Sequence, residues 1–166
     1  MNKVIEEKLI EKCGETRKNI EDFNDLMNRI REHCNRSRNQ YELMKDLIKW
    51  YKLCSSMDLI EDTEVAIDSY SKLRAFNCWD GGYIYIYGLL QAMFLQQDAI
   101  NNLSISLFNE KLSFDMDYPD LYKIREIRNS AIGHPTGRGK DKSFHFISRT
   151  TINNKGSIFA VNVDKS

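Results

Sequence analysis

The stretch Tyr83–Leu95, YIYIYGLLQAMFL, opens like a strand and goes on like a helix. Its first five residues alternate ring and branched side chain, a period that suits a sheet. Apolar residues then continue through Ala99, Ile100 and Leu103, far past the roughly 5–6 residues of an ordinary strand. Length decides for a helix, buried on most sides, and this commits the chain to a mainly α fold. The polar residues that interrupt it, Gln91, Gln96, Gln97 and Asp98, are expected at the surface or as hydrogen-bonded groups facing another subunit. The run falls short of the roughly 18–20 apolar residues a membrane span needs, and its aromatics read as core.

On the N-terminal side, apolar residues from Val4 to Cys34 recur at helical spacing, most cleanly as Ile20, Phe23, Met27, Ile30 and Cys34, which predicts a long amphipathic helix with a break near Gly14. The polar run Asn35-Arg36-Ser37-Arg38-Asn39 is expected to end it. A second helix is predicted with Tyr41, Met44, Leu47 or Ile48, Tyr51 and Cys54 as its inward stripe. Ser55-Ser56 should interrupt it, and Asp58 should cap a third helix running through Tyr70 and Leu73. The acids Glu61, Asp62 and Glu64 read as surface groups favoured near a helix start, not as catalytic carboxylates. Phe76–Gly82, FNCWDGG, reads as a turn.

On the C-terminal side, residues 104–118 are expected as a loop. Pro119 then sits where a first helical residue tolerates the loss of its N–H, after Asp117 or Tyr118 as cap. A fifth helix follows through Leu121, Ile124, Ile127 and Ile132, stopped by Gly133 and Pro135. SFHFISRT and SIFAVNV alternate on either side of TINNKG, which predicts a β-hairpin over about 143–163.

The chain is expected to form one domain over residues 1–166, its helical core at about 3–134. Cys13, Cys34, Cys54 and Cys78 form no CxxC pair, and His33 beside Cys34 lacks the other half of a zinc site, so reduced thiols, no metal and no cofactor are expected. MNKVIEEKLIEKC contains no apolar leader core, so a cytosolic protein without membrane association is expected. Net charge is zero, but its distribution is uneven. Residues 55–122 carry 3 basic and 11 acidic groups, and residues 123–166 carry 9 and 3. A basic C-terminal quarter is compatible with a phosphate-binding surface, and equally with neutralisation inside the fold.

The chemistry concentrates in IREIRNSAIGHP at the end of the fifth predicted helix. Arg128 and His134 place a fixed cation and a titratable base within two helical turns. Phosphodiester cleavage without a metal needs both. Histidine moves a proton near neutral pH, and arginine holds phosphate oxygens and offsets charge in the transition state. Spacing alone says little. Ten arginines, three histidines and three allowed spacings give about half a match by chance, and Arg138 with His145 also satisfies the pattern. The helix end, Asn129 directly after Arg128, and the closing Gly133-His134-Pro135 set the first pair apart.

In this context the segment resembles the HEPN superfamily, whose signature is an Arg followed by a polar residue, commonly Asn, with His four to six positions on. Arg128, Asn129 and His134 stand at those positions. The resemblance implies a bundle of four to five helices, here with a C-terminal β-hairpin, and a homodimer whose two motifs face each other across the twofold axis. It further implies a metal-independent endoribonuclease of a toxin–antitoxin or antiviral system, with RNA as substrate and an antitoxin or defence protein as partner. His134 would then take the 2′-OH proton and Arg128 would hold the scissile phosphate. Asn129 would orient the phosphate or a histidine, Arg125 would add a phosphate contact, and Arg138, Lys140 and Lys142 would form a basic rim. Some toxin members carry a Tyr two positions after the His. Here that residue is Thr136, which argues against regulation by modification there. A non-catalytic HEPN-like module that binds nucleic acid or nucleotide, and a helical dimerisation domain, are the competing readings.

Overall fold

A computed structural model of the chain describes residues 22–73, 81–133 and 147. All the regular structure among them is helical except Ile147, an isolated bridge residue. The chain divides into two compact units, Met1–Tyr51 and Lys52–Ser166, described in turn. The predicted hairpin lies, apart from Ile147, outside the described residues.

In the first unit α1 covers residues 22–35. The polar run that follows is a bend of one residue. Arg36 is extended (φ −61°, ψ 131°), and its carbonyl already accepts the Gln40 N–H at 2.9 Å, so α2, Ser37–Met44, starts at once. The Asn39 amide donates back to the His33 carbonyl at 2.8 Å, tying the two helices across the bend. Asp46 then caps α3, Leu47–Ser71, its Oδ1 accepting the Lys49 N–H at 3.0 Å. This cap splits the predicted second helix in two.

The inward stripe predicted for that helix is corrected at every residue but Cys54, which is half-buried. Tyr41, Met44, Leu47, Ile48 and Tyr51 are exposed, Ile48 to 82%. The half-buried side of this segment carries Asn39, Gln40, Leu43, Lys49 and Trp50.

In the second unit α3 continues without a break. The Ser55 and Ser56 hydroxyls donate to the Lys52 carbonyl at 3.2 and 2.7 Å, and Thr63 donates to the Leu59 carbonyl at 2.7 Å. Hydroxyls satisfied by their own helix do not interrupt it, so Asp58 is an interior residue. Leu53, Ser56, Met57, Ile60 and Thr63 form the buried stripe.

Helix α4, Gly82–Phe108, is longer than its sequence suggested. It starts after Gly81 at φ +82°, where a side chain would be strained. It ends at Asn109, also left-handed at φ 58°, a conformation asparagine tolerates at helix ends. Part of the expected loop is therefore helix, and Phe114–Asp117 adds a single turn, α5. Asn101 on α4 holds what remains, accepting the Leu112 N–H at 2.9 Å. Helix α6, Pro119–Arg128, follows with Pro119 in its first turn and Tyr118 as the cap residue. It runs into a π-helical turn, Asn129–Gly133.

Helix α6 packs on α4. Ile86 and Leu90 of α4 join Ala131 and Ile147 in a buried cluster, against which Tyr70, Leu73, Tyr83 and Ile132 pack. The Tyr83 hydroxyl donates to the Ile147 carbonyl at 3.2 Å. Among the described residues, no helix is long and apolar enough to cross a membrane.

Candidate functional site

The polar residues of α4 explain how α6 and its arginines are placed. A polar group inside an apolar packing surface must find a partner, and these find theirs on different segments of the same chain. Gln96 donates to Glu64 on α3 at 3.1 Å. Gln97, almost fully buried, donates to the Leu121 carbonyl in α6 at 3.1 Å. Asp98 accepts Arg125 Nη1 at 2.8 Å. Gln91 Oε1 accepts both Nε and Nη2 of Arg128, at 3.1 and 2.9 Å. Of these groups only Gln97 Oε1 is left buried with no hydrogen-bond partner among the described residues; the bonded groups of the other three need no second subunit.

Between Gln91 and Asp98, one helical turn from each, stands Phe94. Both guanidiniums lie against its ring, Arg128 at 4.4 Å and Arg125 at 4.2 Å from the centroid. Arg125 also lies 5.8 Å from the Phe114 ring. Each arginine is therefore held by one hydrogen-bonding residue and one aromatic face of α4.

The two differ in what they have left to give. Arg125 is paired with a carboxylate and its side chain is only 22% exposed; its charge is already matched. Arg128 is held by neutral groups, Gln91 and the Asn129 side chain, whose Oδ1 accepts Nη1 at 3.1 Å. A guanidinium has five N–H donors. With Nε, one Nη1 and one Nη2 hydrogen engaged, one donor on each terminal nitrogen has no partner among the described residues. Two donors on adjacent nitrogens can hold two phosphate oxygens, and the cation retains its full charge for them.

The backbone supports this placement. Arg128 is the last α-helical residue of α6, and Asp120 stands in its first turn, where a carboxylate is favoured by the helix dipole. Asp120's carboxyl is held below its usual range by a hydrogen bond from Lys123 and by that residue's charge. The Asn129 N–H is shared by the Arg125 and Glu126 carbonyls, the point at which the helix widens into the π turn. Ser130 and Ala131 point into the protein, while Arg128 and Asn129 stay half-buried.

Of the residues singled out from the sequence, Arg125, Arg128 and Asn129 are brought together here. His134, Arg138, Lys140 and Lys142 lie outside the described residues. Gln91, Phe94 and Asp98 were not foreseen as partners of the arginines. Their steps of three and four along α4 put them on one face, and the polar members of that row were the available signal. No family model, curated protein or solved structure matches the chain.

Proposed function

We propose that this chain is a HEPN-type endoribonuclease that cuts RNA without a metal and acts as a homodimer in a toxin–antitoxin or antiviral defence setting. One His134 takes the proton from a ribose 2′-OH, and O2′ attacks the adjacent phosphorus. The 5′-oxygen leaves with a proton from the partner's His134, giving a 2′,3′-cyclic phosphate and a 5′-hydroxyl. Arg128 holds the phosphate oxygens and offsets the charge that grows on them. Asn129 acts through Arg128, whose guanidinium it steadies. Arg125, neutralised by Asp98, anchors α6 and contributes little to phosphate binding. Arg138, Lys140 and Lys142 supply the basic rim.

The observation that carries this reading is the Arg128 guanidinium, fixed by Gln91, Phe94 and Asn129, with one donor on each terminal nitrogen unengaged among the described residues. Pre-orientation of this kind is what transition-state stabilisation requires. The test is cleavage of single-stranded RNA in EDTA by the wild type, Arg128→Ala and His134→Ala. The wild type should cut, and each variant should lose at least about a hundred-fold of the activity. Equal cutting by all three would refute the site. RNA binding with no cleavage by the wild type would instead establish a non-catalytic binding module.

A further inference from the structure

The row of α4 that holds Arg128 continues past Gln91 toward the start of the helix. Tyr87, Gln91, Phe94 and Asp98 follow steps of four, three and four. Helix α4 is unbroken from Gly82 to Phe108, so the four share one face. Gln91, Phe94 and Asp98 hold the two arginines of α6. Tyr87 lies one turn beyond them, about 6 Å along the axis from Gln91 at a rise of 1.5 Å per residue, and is 40% exposed. Its expected place in the core is thereby corrected. Ile84, three residues earlier on the same face, is 74% exposed and extends the apolar track.

The Tyr87 ring is exposed but supported. Its centroid lies 6.0 Å from that of Tyr83, with the two planes at 41°, a spacing usual for packed aromatic pairs. Tyr83 is itself anchored, its hydroxyl donating to the Ile147 carbonyl at 3.2 Å and its side chain packed on the cluster of Ile86 and Leu90. A ring already steadied in this way loses little rotamer freedom when a flat group covers it.

A scattered exposed tyrosine needs no explanation. This one continues the row that fixes a phosphate-binding cation. A phosphate on Arg128 carries a nucleoside on either side, and an aromatic face one helical turn away can receive one of the two bases. Stacking on exposed rings is how proteins commonly hold unpaired bases whatever their sequence.

We propose that Tyr87 is a base-stacking residue of the RNA site, covering the nucleobase next to the phosphate held by Arg128. The inference rests on the RNA reading of Arg128 and adds to it a substrate class, unpaired RNA, because a base inside a duplex has no free face. The probes are two strands of about twelve nucleotides with 2′-O-methyl ribose throughout, which blocks attack by O2′. One is oligoadenylate; the other has the same backbone charge and no bases. With the full chain in EDTA, the wild type should bind the adenylate strand about ten-fold or more tightly than the abasic one. Tyr87→Ala should remove about five-fold or more of that preference and leave abasic binding unchanged, and Tyr87→Phe should keep it. Arg128→Ala should weaken both strands and lower the salt dependence of each by about 0.7 in logarithmic slope. The same preference in the wild type and Tyr87→Ala would overturn the stacking role while leaving Arg128 in place. Equal weakening of both strands by Tyr87→Ala would make the ring a structural support, and a loss in Tyr87→Phe as large as in Tyr87→Ala would assign the effect to the hydroxyl; either also overturns the proposal. If neither strand bound, or if Arg128→Ala altered neither, the RNA reading itself would fail and the stacking role with it.

Discussion

Replacing Phe94 by Leu tests the interaction that holds both arginines of α6. Leucine keeps most of the apolar volume but removes the ring against which Arg125 and Arg128 lie at 4.2 and 4.4 Å. Each half-exposed cation–π contact contributes about 0.5–1 kcal/mol, so the variant should lose about 1–2 kcal/mol. With a urea dependence of about 2 kcal/mol per molar, the midpoint should fall by roughly 0.5–1 M. Arg125→Met loses its share of the ring and also the Asp98 pair. Because the Asp98 side chain is 43% exposed, that pair counts for only about 0.5 kcal/mol. Combining the two substitutions isolates the contact itself. The double variant should be less destabilised than the sum of the single ones by about 0.5–1 kcal/mol. Additivity within about 0.3 kcal/mol would show that the ring serves only as apolar filler, and the account of how Arg128 is oriented would fail with it.

Gln91→Leu removes the acceptor for two Arg128 donors, and it should lower kcat for RNA by about 10–100-fold with a much smaller change in KM. A rise in KM alone would refute a positioning role, and Gln91→Glu should restore part of the rate. Burial pushes the Tyr70 phenol above its ordinary pKa of 10.0, so the fold favours the neutral ring. Its contribution to stability is complete below the unfolded value and is lost as pH rises through the folded one. Urea midpoints measured on either side of pH 10 should therefore fall less steeply for Tyr70→Phe than for the wild type; parallel curves would contradict the burial effect.

The mainly helical character was legible because it rests on length: the apolar run from Tyr83 exceeds any ordinary strand. Pro119 likewise announces the start of α6 through its missing N–H. Helix boundaries in the first half were less legible. Ser55 and Ser56 read as breakers, yet each hydroxyl found a carbonyl inside the helix. Nothing in the spacing marked Asp46, whose capping of α3 depends on backbone geometry that periodicity does not reveal. The apolar stripe Tyr41–Tyr51 shows a deeper limit. Periodicity identifies which side chains share a face only while one helix continues, and the break at Asp46, like the choice between core and solvent, depends on backbone geometry and tertiary packing. At the arginine cluster, Arg128 and Asn129 were conspicuous as a dipeptide. The residues that hold Arg128 come from a helix more than thirty positions earlier, and only folding makes them its neighbours.

The π turn at Asn129–Gly133 bears on which side chains at the end of α6 reach the core. A turn closed by i→i+5 hydrogen bonds takes up one residue more than an α turn while advancing the chain through the same revolution. A helical wheel drawn from the sequence at about 100° per residue therefore misplaces Ala131 and Ile132, the two residues of this turn that pack with Ile86 and Leu90. The width of the turn, as much as the identity of its residues, decides which side chains are turned inward behind Arg128.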